Sequence, residues 1–175
     1  RKMAFPTDSY ECHSWNEVTK GNDMTRLWDG ITDADPCFQT KTTTVMPQWF
    51  TFDMGVTAKL SRYKFYHLFM EEHAFQRGNL KTWEVWGRTD TPPADGSWDG
   101  WTLLTTCESY KPSGLPAGQI SNEDKEYASA GEEFIFPTDA PAVRYIRFKA
   151  LSTFTGVKFI HLMEVTFYGK PVETK

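Results

Sequence analysis

The run His73-Ala74-Phe75-Gln76-Arg77-Gly78-Asn79 gathers an imidazole, a phenyl ring, a guanidinium and a side-chain amide in one short stretch. Arginine and asparagine each present several donors in a plane, which suits the reading of sugar hydroxyls. An aromatic ring beside them supplies a face on which a sugar can stack. His73, Phe75, Arg77 and Asn79 are therefore candidate ligand-binding residues. Trp15, Phe38, Trp98, Trp101, Phe154 and Phe159 are the other loop aromatics available for a platform, and Trp98 and Phe154 join the candidate set. The plainer role of any one tryptophan is packing over the end of a fold, and Trp28 and Trp83 are assigned to packing.

Catalysis has less support. The histidines are His13, His67, His73 and His161, and on alternating strands such residues are more often hydrogen-bonded than basic catalysts. No G-x-S-x-G, H-E-x-x-H, phosphate loop or dinucleotide fingerprint is present. With 23 Asp and Glu residues, adjacent carboxylates such as Glu71-Glu72 carry no meaning by themselves. The chain is expected not to be an enzyme. Trp28-Asp29-Gly30-Ile31-Thr32-Asp33-Ala34-Asp35 is rich in oxygen donors and contains a turn, the kind of irregular loop that holds calcium. A plain Asp-Gly turn is the alternative. The cysteines Cys12, Cys37 and Cys107 have no metal-ligand spacing, and all three are expected to be free, with a Cys12–Cys37 bridge left open.

These residues need elements to hold them. The chain has 175 residues, enough for a single domain, residues 1–175, with its own core. Aromatic residues make up 15%, which favours β structure, and a net charge of -4 argues against nucleic acid, which normally wants a basic stripe. No apolar run is long enough to span a membrane. Short alternating strands recur: Pro47–Gly55, Leu60–Met70, Leu80–Gly87, Glu132–Pro137, Val143–Ala150 and His161–Gly169. In Pro47–Gly55, Phe50, Phe52 and Met54 share one face, and Asp53-Met54-Gly55 is read as the end of that strand. Two stretches lack strand character, Asp90–Trp101 and Lys111–Gly131, and long loops in compact domains are usually functional or mobile. Ser14 and Glu17 have capping-box spacing for one helical turn. The pattern is all-β, a sandwich or barrel.

Six segments, in order, carry a resemblance. They are Leu27-Trp28-Asp29-Gly30, Trp49-Phe50-Thr51-Phe52-Asp53-Met54-Gly55, Leu60-Ser61-Arg62, Trp83-Glu84-Val85-Trp86-Gly87, Arg144-Tyr145-Ile146-Arg147-Phe148 and Met163-Glu164-Val165-Thr166-Phe167-Tyr168-Gly169. Together they resemble the discoidin family, the coagulation factor 5/8 type C or galactose-binding-like domains. More narrowly, the chain resembles the C-terminal discoidin-like domain of Bacteroidetes surface lipoproteins. The resemblance implies a galactose-binding-like β-sandwich or jelly roll of antiparallel strands. It implies a structural calcium held by Asp29 and Glu164, with Thr32 and Asp35 as looser ligands. It also implies a carbohydrate-binding module of a glycan-utilisation system, cut from a longer multidomain lipoprotein. Its partner would be a glycan or another surface protein. Its address would be the bacterial outer-membrane surface or periplasm, lipid-anchored through an N-terminal part beyond this chain. A protein-interaction or spacer domain with the same fold and no sugar site stands as the alternative.

Overall fold

The computed structural model describes residues 10–11, 24–33, 37–40, 46–68 and 73–172. Its organising element is β3 (Gln48–Tyr66), which runs 19 residues without a break. The sequence expectation of a strand stopping at Gly55 and another starting at Leu60 is therefore corrected. Asp53 Oδ1 accepts the Gly55 N–H at 2.7 Å, and Gly55 takes a φ of 74°, where a side chain would be strained. The ladder with the neighbouring strand shifts register between Asp53 and Ala58. The strand bends there without ending. Arg144 fixes the bend by donating to both Asp53 carboxylate oxygens, at 2.8 and 2.9 Å.

The two halves of β3 belong to different layers. Its first half pairs with β7 (Val143–Thr153) and with β1 (Tyr10–Glu11). Beyond β7 follow β4 (Leu80–Arg88) and β5 (Thr102–Glu108), so the first layer runs β1-β3-β7-β4-β5. Its second half pairs with β6 (Glu132–Ile135) and β9 (Glu164–Pro171). A small ladder of β2 (Phe38–Gln39) with β8 (His161–Leu162) closes one corner. All of these pairings are antiparallel, and the architecture is the expected all-β sandwich.

Alternation along the strands fills the space between the layers. Phe50, Phe52, Tyr63, Phe65, Trp83, Val85, Ile146, Phe148 and Phe167 are all buried. Phe50 and Phe148, cross-strand partners, stack at 5.3 Å with ring planes 3° apart. Each such side chain removed from water contributes roughly 1.5–3 kcal/mol. Trp83 Nε1–H donates to the Tyr63 hydroxyl at 3.0 Å, so the one polar atom of this indole is satisfied. Cys37 and Cys107 are buried and form no disulfide among the described residues, and Cys12 lies outside them.

Besides the short β1 and β2, two longer elements escape the sequence reading. β5 emerges directly from the Trp-rich stretch, and α1 (Asn122–Ala130) sits inside the segment read as a polar excursion. The helix starts on a capping box: Ser121 accepts from the Asp124 N–H, and Asp124 accepts from the Ser121 N–H. The turn expected at Ser14–Val18 lies outside the described residues. No described helix is long and apolar enough to cross a membrane.

Candidate functional site

The loop between β3 and β4 is built around Asn79, and that residue faces inward. Its side-chain carbonyl accepts the Leu68 N–H at 2.8 Å, while its amide donates to the carbonyls of Leu68 and His73 at 3.0 and 2.8 Å. Asn79 is fully buried and clamps the loop ends instead of meeting a ligand. Phe75 is also fully buried, between Tyr127 at 6.4 Å and Phe154 at 5.2 Å. It is an anchor of the loop rather than a platform.

The same clamp forces two non-glycine residues, Phe75 and Arg77, into the left-handed region at φ 55° and 52°. Such conformations cost energy and persist only where surrounding structure dictates them. Here the outcome is an exposed Arg77 on a fixed backbone. Gly78 follows because a Cβ at that position would stand 2.5 Å from the Phe159 carbonyl oxygen. Thr155 Oγ1 donates to the Arg77 carbonyl at 2.7 Å, and the Phe154 N–H donates to the Asn79 carbonyl at 3.1 Å. His73, Arg77 and Phe154 therefore share one rim. Behind it lies buried His161, whose Nδ1 is 3.8 Å from Cys37 Sγ. Burial first, then the charges of Arg77 and His73, push His161 down to about 4, so it is neutral at pH 7.

Beside the rim opens a groove of about 540 Å³ lined by Lys81, Glu108, Ser109, Tyr110, Lys111, Phe154 and the 114–117 segment. Below it Glu132 gathers donors. Ser109 Oγ and the Tyr110 N–H donate to it at 2.7 and 2.6 Å, the Tyr127 hydroxyl donates at 3.3 Å, and His67 Nε2 stands at 3.1 Å. Burial and the adjacent Glu132 push the Tyr127 phenol up to about 12. The outer wall is held by Lys111 Nζ, which donates to the carbonyls of Leu115, Pro116 and Gln119 at 2.9, 3.2 and 2.6 Å. Asp124 fastens the wall to α1 by accepting from the Ser113 N–H and hydroxyl at 2.9 and 2.6 Å. Burial works against that carboxylate, but the hydrogen bonds from Ser113 and Ser121 and the Lys111 charge outweigh it and hold it below the usual range. Tyr110, Lys81 and Glu108 sit in no motif. For Glu108 and Tyr110 the available signal was their place beside the long Lys111–Gly131 segment, whereas Lys81 on β4 carried none.

Trp98 does not belong to this site. It packs 5.3 Å from Trp86 and 5.6 Å from Trp49 on the outer face of the first layer. Trp86 lies six residues along β4 from Leu80, roughly 20 Å away at a strand's rise. There Trp98 and Trp101 cover the guanidinium of Arg147, at 4.7 and 4.2 Å from their ring centres. Arg147 in turn donates to Thr51 Oγ1 and to the carbonyls of Gly96 and Ser97, which pins the Trp98 loop onto the sheet.

The calcium expectation is not met by the described residues. Glu164 Oε2 accepts the Gly30 N–H at 3.2 Å, so the first loop and β9 do meet. Asp29 Oδ1 accepts the Ile31 N–H at 2.9 Å, and its Oδ2 stands 3.6 Å from Arg26. Both carboxylates thus face N–H donors or a cation, whereas calcium takes about six to eight oxygens. Thr32 is half-buried beyond them, and Asp35 lies outside the described residues. Among the described residues no group of three or more His, Cys, Asp or Glu is placed to hold a metal ion.

A family model described as a domain of unknown function matches residues 28–169. The chain belongs to this DUF5000 family. A solved SusE-like protein is 41% identical to this DUF5000 domain, with a TM-score of 0.83 over 98% of the chain. The chain spans 64% of that protein's length. A family 32 carbohydrate-binding module from a family 31 glycoside hydrolase of Clostridium perfringens is 17% identical, with a TM-score of 0.66, covering 96% of both chains. The family 32 module of NanJ from the same organism, solved with galactose, is 15% identical with a TM-score of 0.61, covering 95% of this chain and 98% of that one. These similarities show the fold of the DUF5000 domain to be the discoidin, galactose-binding-like sandwich that the sequence motifs resemble. No curated protein matches the chain.

Proposed function

We propose that this domain is a non-catalytic carbohydrate-binding module of a bacterial cell-surface glycan-utilisation lipoprotein, with its ligand at the rim and groove between Arg77 and Tyr110. The observation that carries the reading is the exposed Arg77, held in a left-handed backbone by a buried asparagine clamp beside a groove walled by Phe154. A guanidinium carried on a fixed backbone reads hydroxyls while an aromatic wall takes the sugar's C–H face. The kinship with a SusE-like protein and with a galactose-bound module supports the ligand class and an outer-surface address, lipid-anchored through a part beyond this chain. On this reading residues 1–175 form one module of a longer multidomain lipoprotein. His73, on the same rim, is a secondary contact.

The inward orientation of Phe75 and Asn79 favours a second reading, a spacer or protein-interaction domain without a sugar site, because it leaves fewer groups for a ligand. An array of host mucin and plant glycans separates the two. The first reading expects a hit that Arg77→Ala weakens by roughly 10- to 150-fold, the range of a charged hydrogen bond, without unfolding. A folded domain that binds nothing on the array, or an Arg77→Ala variant that binds as well as the native domain, overturns it.

A further inference from the structure

Tyr110 presents a contradiction that the site as described does not resolve. Its side chain is 61% exposed, while its backbone is held more firmly than that of a surface residue needs to be. Its N–H donates at 2.6 Å to Glu132, a carboxylate only 2% exposed. The adjacent Ser109 hydroxyl donates to the same carboxylate at 2.7 Å and lies 3.0 Å from His67 Nε2. The Tyr110 ring meets Tyr127 edge to face at 5.7 Å, and the Tyr127 hydroxyl returns to Glu132. Placing a carboxylate in the interior is unfavourable unless donors surround it, and here the partners come from just after β5, from α1 and from just after β3. All of them converge beneath one exposed ring on the wall of the groove.

Resting on the reading of the domain as a glycan-binding module, we infer that Tyr110 stacks on the C–H face of a pyranose in the groove and that Glu132 is the positioning residue holding it there. Phe154 forms the other aromatic wall, and the Lys81 ammonium and Glu108 carboxylate also line the groove, as groups that can hydrogen-bond ring hydroxyls. Rigid aromatic walls bind better than mobile ones because less freedom is lost on association. Glu132 supplies that rigidity without touching the sugar.

The test uses the native chain and the mucin and plant-glycan array, with the strongest hit carried into titrations. Tyr110→Ala is expected to lose about tenfold or more in affinity, with Tyr110→Trp and Tyr110→Phe retaining it. Glu132→Gln is expected to weaken binding in the native background and to have no further effect in Tyr110→Ala, the non-additivity of a residue acting through another. A merely structural carboxylate would weaken binding equally in both backgrounds, and that result overturns the positioning role. Should Glu132→Gln fail to fold, Ser109→Ala and Tyr127→Phe each remove one donor to the same carboxylate and are read against Tyr110→Ala in the same way. If Arg77→Ala abolishes binding and Tyr110→Ala leaves it unchanged, this inference fails while the glycan reading stands. If the folded native domain binds no glycan, both fall.

Discussion

Acid should destabilise this domain through one buried imidazole. His161 is 1% exposed, and its Nδ1 faces Cys37 Sγ at 3.8 Å. The groups bearing on it from the neighbouring loop are Arg77 and His73. Its folded value of about 4 lies below the usual ~6.5 of an unfolded chain. The unfolded state therefore takes up the proton first. The stability that neutral His161 contributes is fully present above about pH 6.5 and is lost as pH falls toward 4. A difference of about 2.5 pH units at 1.36 kcal/mol each gives roughly 3 kcal/mol lost by pH 4. For a domain of this size that is a fall of roughly 6–12 °C in melting temperature. Thermal and urea unfolding between pH 4 and pH 7.5 should be compared for the native chain and His161→Gln. Every other titrating group is common to the two, so their difference isolates this residue. The native curve should fall more steeply by about 3 kcal/mol over that range. Parallel curves would refute the reasoning, because they would mean that His161 charges as readily in the folded as in the unfolded chain.

Asn79→Ala should destabilise the domain by roughly 3 kcal/mol or more, since it strands the Leu68 N–H and two carbonyls. Hydrogen exchange should show the 73–78 loop opening with it. Trp98→Ala should lower the melting temperature by uncovering Arg147 while leaving glycan affinity unchanged, because its neighbour Trp86 lies roughly 20 Å along β4 from Leu80 at the rim end; a lost affinity would place Trp98 back in the site. EDTA should leave the melt unchanged, because hydrogen bonds join Glu164 and Asp29 to the first loop. A fall of several degrees would show a metal held with help from residues 34–36.

The sequence exposed the fold more readily than the site, for reasons that can be named. Alternation marks a strand with one buried face, and Trp83 and Val85 against Glu84 and Trp86 follow it in the structure. β3 was cut in two because Asp53 and Gly55 carry turn chemistry, although the chain uses it only to bend. α1 carries a legible Ser121–Asp124 capping box, but its polar face gave no apolar period to support it. At the rim, three of the residues named from composition, His73, Arg77 and Phe154, lie close together in the structure. Composition could not tell that Asn79 and Phe75 turn inward, since that depends on which backbone groups need partners. Arg147 had an ordinary place on an alternating strand. Its burial comes from a loop folding back over the outer face, which no local pattern records.

The single strand that passes through both layers also governs how the molecule can come apart. Four strands, β1, β6, β7 and β9, take their hydrogen bonds from β3. Neither layer can peel away while the other stays intact, because the first residues to leave one sheet are continuous with the spine of the other. Loss of β3 breaks ladders in both layers at once, which couples their unfolding. A domain that works in series with others on a tethered chain would then respond to pulling as one unit, holding its rim in shape up to the load at which the whole sandwich gives way.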